Sequence, residues 1–248
     1  MSAVLTVDGL GVAFSGFKAV DGVSLVIEEG ELRVLLGANG AGKTTLMDLI
    51  SGKTKSTQGR VHLRDTDITN WEEPAIARAG IGRKFQIPSV FRELTVQRNL
   101  EVAGCGKPGV FANLRFGLPR AARRRLDEVL VLTGLYDEAQ TVAGTLSHGQ
   151  TQWLELGLLV MQDPKLLLLD EPTAGMTAAE TLRTADIIKS LRGIHTVIVV
   201  EHDMAFVREI AQRITVMHLG QVLAEGDMAT IEADPRVRAA YLGSKGIH

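Results

Sequence analysis

A glycine-rich loop between an apolar run and a helical pattern constrains this chain most. Residues 37–45 read Gly-Ala-Asn-Gly-Ala-Gly-Lys-Thr-Thr, which fits the phosphate-binding pattern G-x-x-x-x-G-K-[ST]. Residues 32–36 before the loop are strand-like, and apolar residues recur at helical spacing after it, at Leu46, Met47, Leu49 and Ile50. Because a strand, a glycine loop and a helix form the setting that this pattern requires, the segment predicts an α/β core with a phosphate site.

The residue types of the loop are those that a nucleoside triphosphate and Mg²⁺ require. Glycines let the backbone curl, so that successive N–H groups point at phosphate oxygens. Lys43 supplies a positive charge for the terminal phosphates, and the hydroxyl of Thr44 can ligate Mg²⁺. The predicted nucleotide-binding residues of this segment are Gly37, Asn39, Gly40, Gly42, Lys43, Thr44 and Thr45.

Composition limits the protein class. A chain of 248 residues with 45% apolar residues can form one large α/β domain or two small ones. The net charge of −2 argues against general nucleic-acid binding, so we expect no nucleic-acid partner. A single cysteine, Cys105, excludes an internal disulfide and fits a reducing compartment. Because we expect neither a signal peptide nor a segment long enough to span a bilayer, we expect a soluble protein whose membrane role needs a partner.

Hydrophobic periodicity predicts a helical insert within an α/β core. Strand patterns occupy residues 4–7, 23–27, 61–63, 81–85, 166–170, 196–200, 214–218 and 222–224. Helical patterns dominate from 87 to 162, most clearly at 120–133 and 148–161, and short helices are expected at 227–232 and 235–242. We therefore expect a single domain over 1–248, with its core at 1–86 and 163–248 and a helical subdomain at 87–162.

Two carboxylates end a buried strand pattern. Residues 166–171 read Leu-Leu-Leu-Leu-Asp-Glu, and acids at the carboxyl end of a central strand lie in the ligand crevice of an α/β sheet. Asp170 suits a Mg²⁺ ligand, and Glu171 suits a general base that polarises an attacking water. The alternative is a pair of capping acids after a core strand.

A second candidate anion site precedes the helix pattern at 148–161. Residues 146–150 read Leu-Ser-His-Gly-Gln, in which Ser147 can cap the helix and the first-turn N–H groups can bind an anion. If the segment stood alone, an ordinary helix cap would be the more frequent explanation. His202, which follows the strand pattern at 196–200, would similarly be a structural histidine if considered in isolation.

The order of these motifs resembles the ATP-binding cassette family of transporter ATPases over nearly the whole chain. Residues 37–45 match the Walker A loop, 146–150 resemble the LSGGQ signature, and 166–171 match Walker B with its catalytic glutamate. The remaining matches are the Q-loop glutamine at Gln86, the switch histidine at His202 and the adenine-stacking aromatic at Phe14. The fold implied is a P-loop core with a small antiparallel β subdomain and a helical insert.

The resemblance also implies a mechanism. Two such subunits sandwich two ATP molecules head to tail, so that the signature residues of one complete the site of the other; these residues are Ser147, Gly149 and Gln150. Glu171 activates water, His202 contacts the γ-phosphate, and Gln86 links the metal and the water to the insert. The Mg²⁺ ligands implied are Thr44, Gln86 and Asp170.

Two stretches refine the resemblance. Residues 146–155 and 166–177 resemble the ATP-binding subunit of urea-type importers, and the ending at 234–243 is similar to their relatives, the branched-chain amino-acid importers. We therefore expect an ATPase that powers import of urea or short amides. Alternatives are a branched-chain amino-acid importer ATPase or a single-domain ATPase of a lipid or export system.

The resemblance implies several partners. We expect a second ATPase subunit, identical or related, two transmembrane permease subunits and, indirectly, a periplasmic or extracellular solute-binding protein. The chain would then lie in the cytoplasm, peripheral to the cytoplasmic face of the inner membrane. A non-transport module that dimerises on ATP usually has long coiled-coil insertions or a basic groove, and neither the insert nor the net charge provides these. A P-loop kinase would explain neither residues 146–150 nor His202.

Two residues depart from the family pattern. His148 replaces the first signature glycine, so we expect backbone strain if that position requires a positive φ. Thr177 stands where many members have aspartate, so we do not expect this loop to couple the two ATP sites through a carboxylate.

Overall fold

The computed structural model describes residues 2–84, 90–104 and 120–242, without the side chains of Arg120, Tyr241 and Leu242. The chain divides into two compact units. The sheet unit takes its residues from 1–83, 165–172 and 191–248, and the helical unit from 84–164 and 173–190. The predicted boundaries of the insert, at 87 and 162, stay a prediction.

A four-stranded antiparallel sheet forms the first layer of the sheet unit. Its strand order is β2 (Phe17–Glu28), β1 (Ala3–Phe14), β4 (Gln58–Leu63) and β5 (Thr66–Asp67). Ser15 and Gly16 both have positive φ, which allows a tight turn that pairs Phe14 with Phe17. The predicted antiparallel sheet is confirmed, although β1 and β2 extend well beyond the predicted 4–7 and 23–27.

A six-stranded sheet forms the centre of the same unit. Its strand order is β10 (Gln221–Gly226), β9 (Arg213–His218), β3 (Leu32–Leu36), β8 (Thr196–Glu201), β7 (Leu166–Asp170) and β6 (Ile81–Arg83). All neighbours pair in parallel except β10, which is antiparallel to β9. Because β8 lies between β3 and β7, the loops that follow these three strands meet at one edge of the sheet.

The sequence explains why this sheet is parallel and central. Every residue of β3 and β8 is buried, as are the four leucines of β7, and continuous apolar runs are typical of parallel strands covered on both faces. The helices of this unit are α1 (Lys43–Ser51), α2 (Glu73–Ala79), α7 (Met204–Ile210), α8 (Met228–Ala233) and α9 (Pro235–Val237). The predicted helix at 235–242 is interrupted, since Arg238–Leu242 forms a π-helical turn.

The helical unit contains α3 (Val96–Gly104), α4 (Arg120–Thr133), α5 (His148–Met161) and α6 (Ala178–Leu191), the last residue of which belongs to the sheet unit. The bounds predicted for α4 and α5 are confirmed. A Cβ placed on Gly157 would lie 3.1–3.2 Å from side chains of α3 and α4, so this glycine permits close packing of three helices. Within the described residues, none of the helices is sufficiently long and apolar to cross a membrane.

Candidate functional site

The loop after β3 has the backbone conformation that a phosphate cradle requires. Gly40 and Gly42 have φ of 79° and 100°, and a Cβ on Gly42 would lie 2.5 Å from the carbonyl oxygen of Ala19. Asn39 is exposed in the turn, whereas Gly37 is buried at the end of the strand. Gly42 is therefore required by both conformation and space, whereas Gly40 is favoured by its conformation and Gly37 by space, since a Cβ there would lie 2.6 Å from the carbonyl oxygen of Met217.

Lys43 begins α1 and points back into the loop. Its side chain is only 6% exposed, and its ammonium donates to the carbonyl oxygens of Gly37 at 2.7 Å and Ala38 at 3.1 Å. Burial lowers the pKa of Lys43, and the carboxylates of Glu171, Asp170 and Glu201 partly oppose that shift. A buried cation thus lies at the centre of the loop, facing acidic groups.

The two predicted metal ligands in the described part of the chain lie together. The Thr44 hydroxyl lies close enough to the carboxyl group of Asp170, at the end of β7, to affect the pKa of that carboxyl group. Burial raises the pKa of Asp170, the guanidinium of Arg83 lowers it, and Glu171 and Asp48 raise it further. Thr45, also in the first turn of α1, is half-buried.

These oxygen donors suit Mg²⁺. A hydroxyl and a carboxylate are hard ligands, and Mg²⁺ is typically held by one or two carboxylates together with phosphate oxygens and water. The described residues contain no group of three or more histidine, cysteine or acidic side chains that could hold a metal by themselves. The residues present therefore fit a magnesium ion held jointly with a nucleotide. Gln86, the third predicted metal ligand, lies outside the described residues.

Glu171 and His202 face each other at the same edge of the sheet. Nδ1 of His202 lies 3.2 Å from Oε1 of Glu171, and the backbone N–H of Glu171 donates to the carbonyl oxygen of Val200. The side chain of His202 is 55% exposed and that of Glu171 is 41% exposed, so both are accessible to a ligand. Because β7 pairs with β8, the sheet brings together two motifs that are separated in sequence.

Glu171 also has an unusual backbone. Its φ of 46° lies in the left-handed region, which is uncommon for residues other than glycine. Left-handed residues of this kind concentrate at functional sites, where the surrounding structure holds them in place. The conformation turns the chain immediately after the buried strand and leaves the side chain exposed.

Arg83 is a residue of the site that the sequence analysis missed. It ends β6 with 8% exposure, and Nη1 contacts Ser51 Oγ at 2.7 Å and Asp48 Oδ1 at 2.6 Å. Nη2 lies 3.7 Å from Oδ2 of Asp170, so Arg83 connects α1 to the end of β7. An arginine within an otherwise buried strand pattern is the signal that could have identified it, because a buried arginine requires acidic partners.

Phe14 lies at the tip of the β1–β2 hairpin. It is 50% exposed, and its cross-strand neighbour Phe17 is 64% exposed. The hairpin is attached to the phosphate loop through backbone contacts, since the N–H of Asp21 donates to Gly220 O and the N–H of Gly220 donates to Ala41 O. The structure therefore places an exposed aromatic pair on an element that contacts the loop.

In the helical unit, the predicted signature residues form the start of α5. Ser147 Oγ accepts from the N–H of Gln150 at 3.2 Å, and Gln150 Oε1 accepts from the N–H of Ser147 at 3.0 Å, which is a capping box. Gly149 is buried, and a Cβ there would collide with the carboxylate of Glu180. Ser147 itself is exposed, so it combines a capping role with access to solvent.

The two departures from the family pattern have direct structural accounts. His148 lies in the first turn of α5 and is not among the residues with positive φ, so the possible strain does not arise. Thr177 directly precedes α6, where its N–H and Oγ1 both donate to Glu180 Oε2 at 2.9 Å and its Oγ1 accepts from the Glu180 N–H at 3.3 Å. Threonine thus keeps a helix-capping interaction at this position without a carboxylate of its own.

Comparisons with known proteins agree with this geometry. A family model described as "ABC transporter" matches residues 20–174, and one described as "Branched-chain amino acid ATP-binding cassette transporter" matches residues 221–246. The high-affinity branched-chain amino acid transport ATP-binding protein LivG of Salmonella typhimurium is 39% identical, over 97% of this chain and 98% of its own. BraF of Pseudomonas aeruginosa, with the same descriptive name, is 37% identical over 97% of this chain and 98% of its own.

Solved structures extend the agreement to the whole fold. The ADP conformation of MJ1267, an ATP-binding cassette of an ABC transporter, has a TM-score of 0.83 at 30% identity, covering 98% of this chain and all of that one. A nucleotide-free ATP-binding cassette has a TM-score of 0.80 at 30% identity, covering 96% and 98%. Together with the family match and the phosphate loop, these similarities show that the chain belongs to the ATP-binding cassette family of transporter ATPases and that it binds and hydrolyses ATP.

Proposed function

We propose that this chain powers the import of branched-chain amino acids. The support comes from relatives named for that transport and from the family model that matches residues 221–246. The hypothesis of urea import has no such support, because these relatives are named for branched-chain amino acid transport. Import of urea or short amides, which the sequence analysis favoured, is therefore replaced here by its alternative.

The observation that carries the proposed chemistry is the meeting of the loop after β3 with the ends of β7 and β8. The ammonium of Lys43 releases its carbonyl contacts and binds the terminal phosphates of ATP. Gly37, Asn39, Gly40, Gly42 and Thr45 provide the backbone and side chains around those phosphates. Mg²⁺ would be held by Thr44, Asp170 and Gln86, and when bound it neutralises charge that develops on the phosphates.

Glu171 is proposed as the general base. Its exposed carboxylate can accept a proton from the water that attacks the γ-phosphate, and the 3.2 Å contact with His202 fixes its orientation. In its protonated form, His202 can donate from Nδ1 to Glu171 and from Nε2 to a γ-phosphate oxygen, so that it keeps the first contact while it makes the second. Phe14, on the hairpin attached to the phosphate loop, is proposed to stack on adenine.

The signature residues are proposed to act on the ATP of a second subunit. Ser147, Gly149 and Gln150 start a helix whose remaining first-turn N–H groups favour an anion. A head-to-tail pair of ATPase subunits, identical or related, would use both anion sites of each chain. We propose that this pair serves two permease subunits and a solute-binding protein from the cytoplasmic face of the membrane.

Uptake measurements test the transported class. We expect deletion of the gene to abolish uptake of micromolar radiolabelled leucine and to leave urea uptake unchanged. Wild-type chain should restore leucine uptake, and the Glu171→Gln chain should not. Loss of urea uptake with normal leucine uptake would restore the urea hypothesis, and normal uptake of both would leave an ATPase of a different transport system.

A further inference from the structure

Within the helical unit, the start of α5 is connected to residues 173–184 at three points. Nε2 of His148 lies 3.1 Å from the carbonyl oxygen of Ala174. The carboxylate of Glu180 lies against Gly149, where a Cβ would be 2.3 Å from its Oε1, and Nε1 of Trp153 donates to Oγ1 of Thr184 at 3.0 Å. The second and third contacts join α5 to helix α6, whereas the first joins α5 to the loop before it.

We propose that His148 is a positioning residue that holds the loop at Thr173–Thr177 in a fixed place relative to Ser147. This inference rests on the proposed function, in which Ser147 completes the ATP site of a second subunit. The loop begins two residues after Glu171, the proposed base for the chain's own ATP. Ser147 would act on the ATP of the second subunit, and Glu171 on the ATP of its own chain. His148 would therefore connect the signature segment with the loop that follows Glu171.

The chemistry of the contact assigns the histidine tautomer. A carbonyl oxygen only accepts hydrogen bonds, so Nε2 must carry the proton in the neutral ring. The protonated ring also has a donor at Nε2, so the contact does not depend on the charge of His148. A glycine at this position, as in the usual signature, would provide no donor for the Ala174 carbonyl.

The shape of the loop supports the same inference. Gly175 has φ of 75°, and a Cβ on it would lie 3.3 Å from Nε2 of His148, so the imidazole packs against bare backbone. Inside the loop, the N–H of Met176 donates to the carbonyl oxygen of Thr173 at 3.1 Å. The His148 contact acts on the middle of the loop, at Ala174, whereas the bonds from Thr177 to Glu180 act at its end.

The experiment compares His148→Gly with His148→Gln in the full chain, and uses His62→Ala as a matched control on β4. Hydrogen exchange at the Met176 amide reports loop order. We expect exchange to rise about five-fold in His148→Gly, the effect of losing one neutral hydrogen bond, and to stay near wild type in the other two variants. The spectrum of ¹⁵N-labelled histidine should show one Nε2–H signal that disappears in His148→Gln.

Turnover by the assembled transporter tests the functional part. We expect kcat of His148→Gly to fall about three- to ten-fold with KM for ATP nearly unchanged, because a positioning residue acts on the transition state rather than on nucleotide binding. His148→Gln should recover most of this loss. Unchanged exchange, unchanged kcat, or a change in only one of the two would overturn the inference. A wild-type transporter without ATPase activity would instead contradict the proposed function, while the exchange result would still report on the contact.

Discussion

The two predicted anion sites of this chain lie at helix starts that are built differently. At α1 the residue before the helix is Gly42, and no side chain caps the first turn. At α5 the Ser147 hydroxyl already accepts one of the first-turn N–H groups, and Gln150 reaches back to the N–H of Ser147. The first-turn N–H groups of α1 are therefore left for a ligand, whereas at α5 side chains of the same chain already accept some of these N–H groups. This difference supports the proposal that α1 holds phosphates by itself and that α5 contributes to a site completed by another subunit.

The largest expected effect is on the α1 side of this comparison. Glu171→Gln should lower kcat for ATP hydrolysis by a factor of about 10² to 10⁴, because it removes the proton acceptor and keeps the shape. An ATP-bound pair of subunits should accumulate, measurable by size-exclusion chromatography with ATP. Glu128→Gln, on the exposed face of α4, is the control and should keep wild-type turnover. Near-wild-type turnover of Glu171→Gln would reject the base assignment.

Removal of the buried cation should be the next largest effect. Lys43→Ala should weaken ATP binding by about 10²-fold or more, because the phosphates lose a charge-assisted contact inside the loop. Calorimetric titration of nucleotide into the purified chain measures this. Lys53→Ala removes a lysine whose side chain is 54% exposed and should leave affinity unchanged. If both variants bind ATP equally well, α1 is not the self-sufficient site that the comparison describes.

The α5 side predicts a different pattern. Ser147→Ala should lower the free energy of unfolding by about 1 kcal/mol through loss of the cap and should reduce turnover, while ATP affinity of the isolated chain stays constant. Asp227→Ala removes the cap of α8, where Oδ1 accepts from the N–H of Thr230, and should reproduce the stability loss alone. Weaker ATP binding by the isolated Ser147→Ala chain would show that α5 serves the chain's own nucleotide, contrary to our comparison.

The smallest expected effect is on the pH dependence of the free energy of unfolding, measured in the absence of nucleotide. The pKa of Asp170 is raised in the folded chain, so the folded state binds more protons than the unfolded state between pH 3.8 and that raised value. Stability from this group therefore falls as pH rises through the window. Asp170→Asn should remove this contribution and flatten the dependence, as measured by urea unfolding from pH 4 to 7. Identical slopes for the two proteins would show that Asp170 does not retain its proton in the folded state.

The sequence predicted those elements whose pattern is local and continuous. The bounds of β3, β7, α4 and α5 follow from predominantly apolar runs or from helical spacing, and each is confirmed. The lengths of β1 and β2 were wrong, because β1 contains Gly9 at φ 54° and several register shifts, which interrupt simple alternation. Short α2 was missed since its helical signal covers only seven residues.

The candidate site shows the same difference between residues in local motifs and residues whose contacts depend on the fold. Lys43 and Asp170 lie in linear motifs, so residue type and spacing were sufficient to predict them as site residues. Arg83 could not be identified from spacing, because its contacts depend on β6 pairing with β7 and on α1 lying beside both. The contact of His148 with Ala174 depends on how a loop folds back on a helix start, which no periodic pattern encodes.

The attachment of the β1–β2 hairpin to the phosphate loop has a consequence for divergence within such chains. The bonds of Asp21 and Gly220 and the close approach at Gly42 all involve main-chain atoms, so they are independent of which side chains the hairpin carries. Substitutions at Phe14 or Phe17 would therefore change the surface offered to a nucleobase without moving the arm that bears it. If Phe14 stacks on the base as proposed, base preference could change through such substitutions without altering the backbone of the phosphate loop.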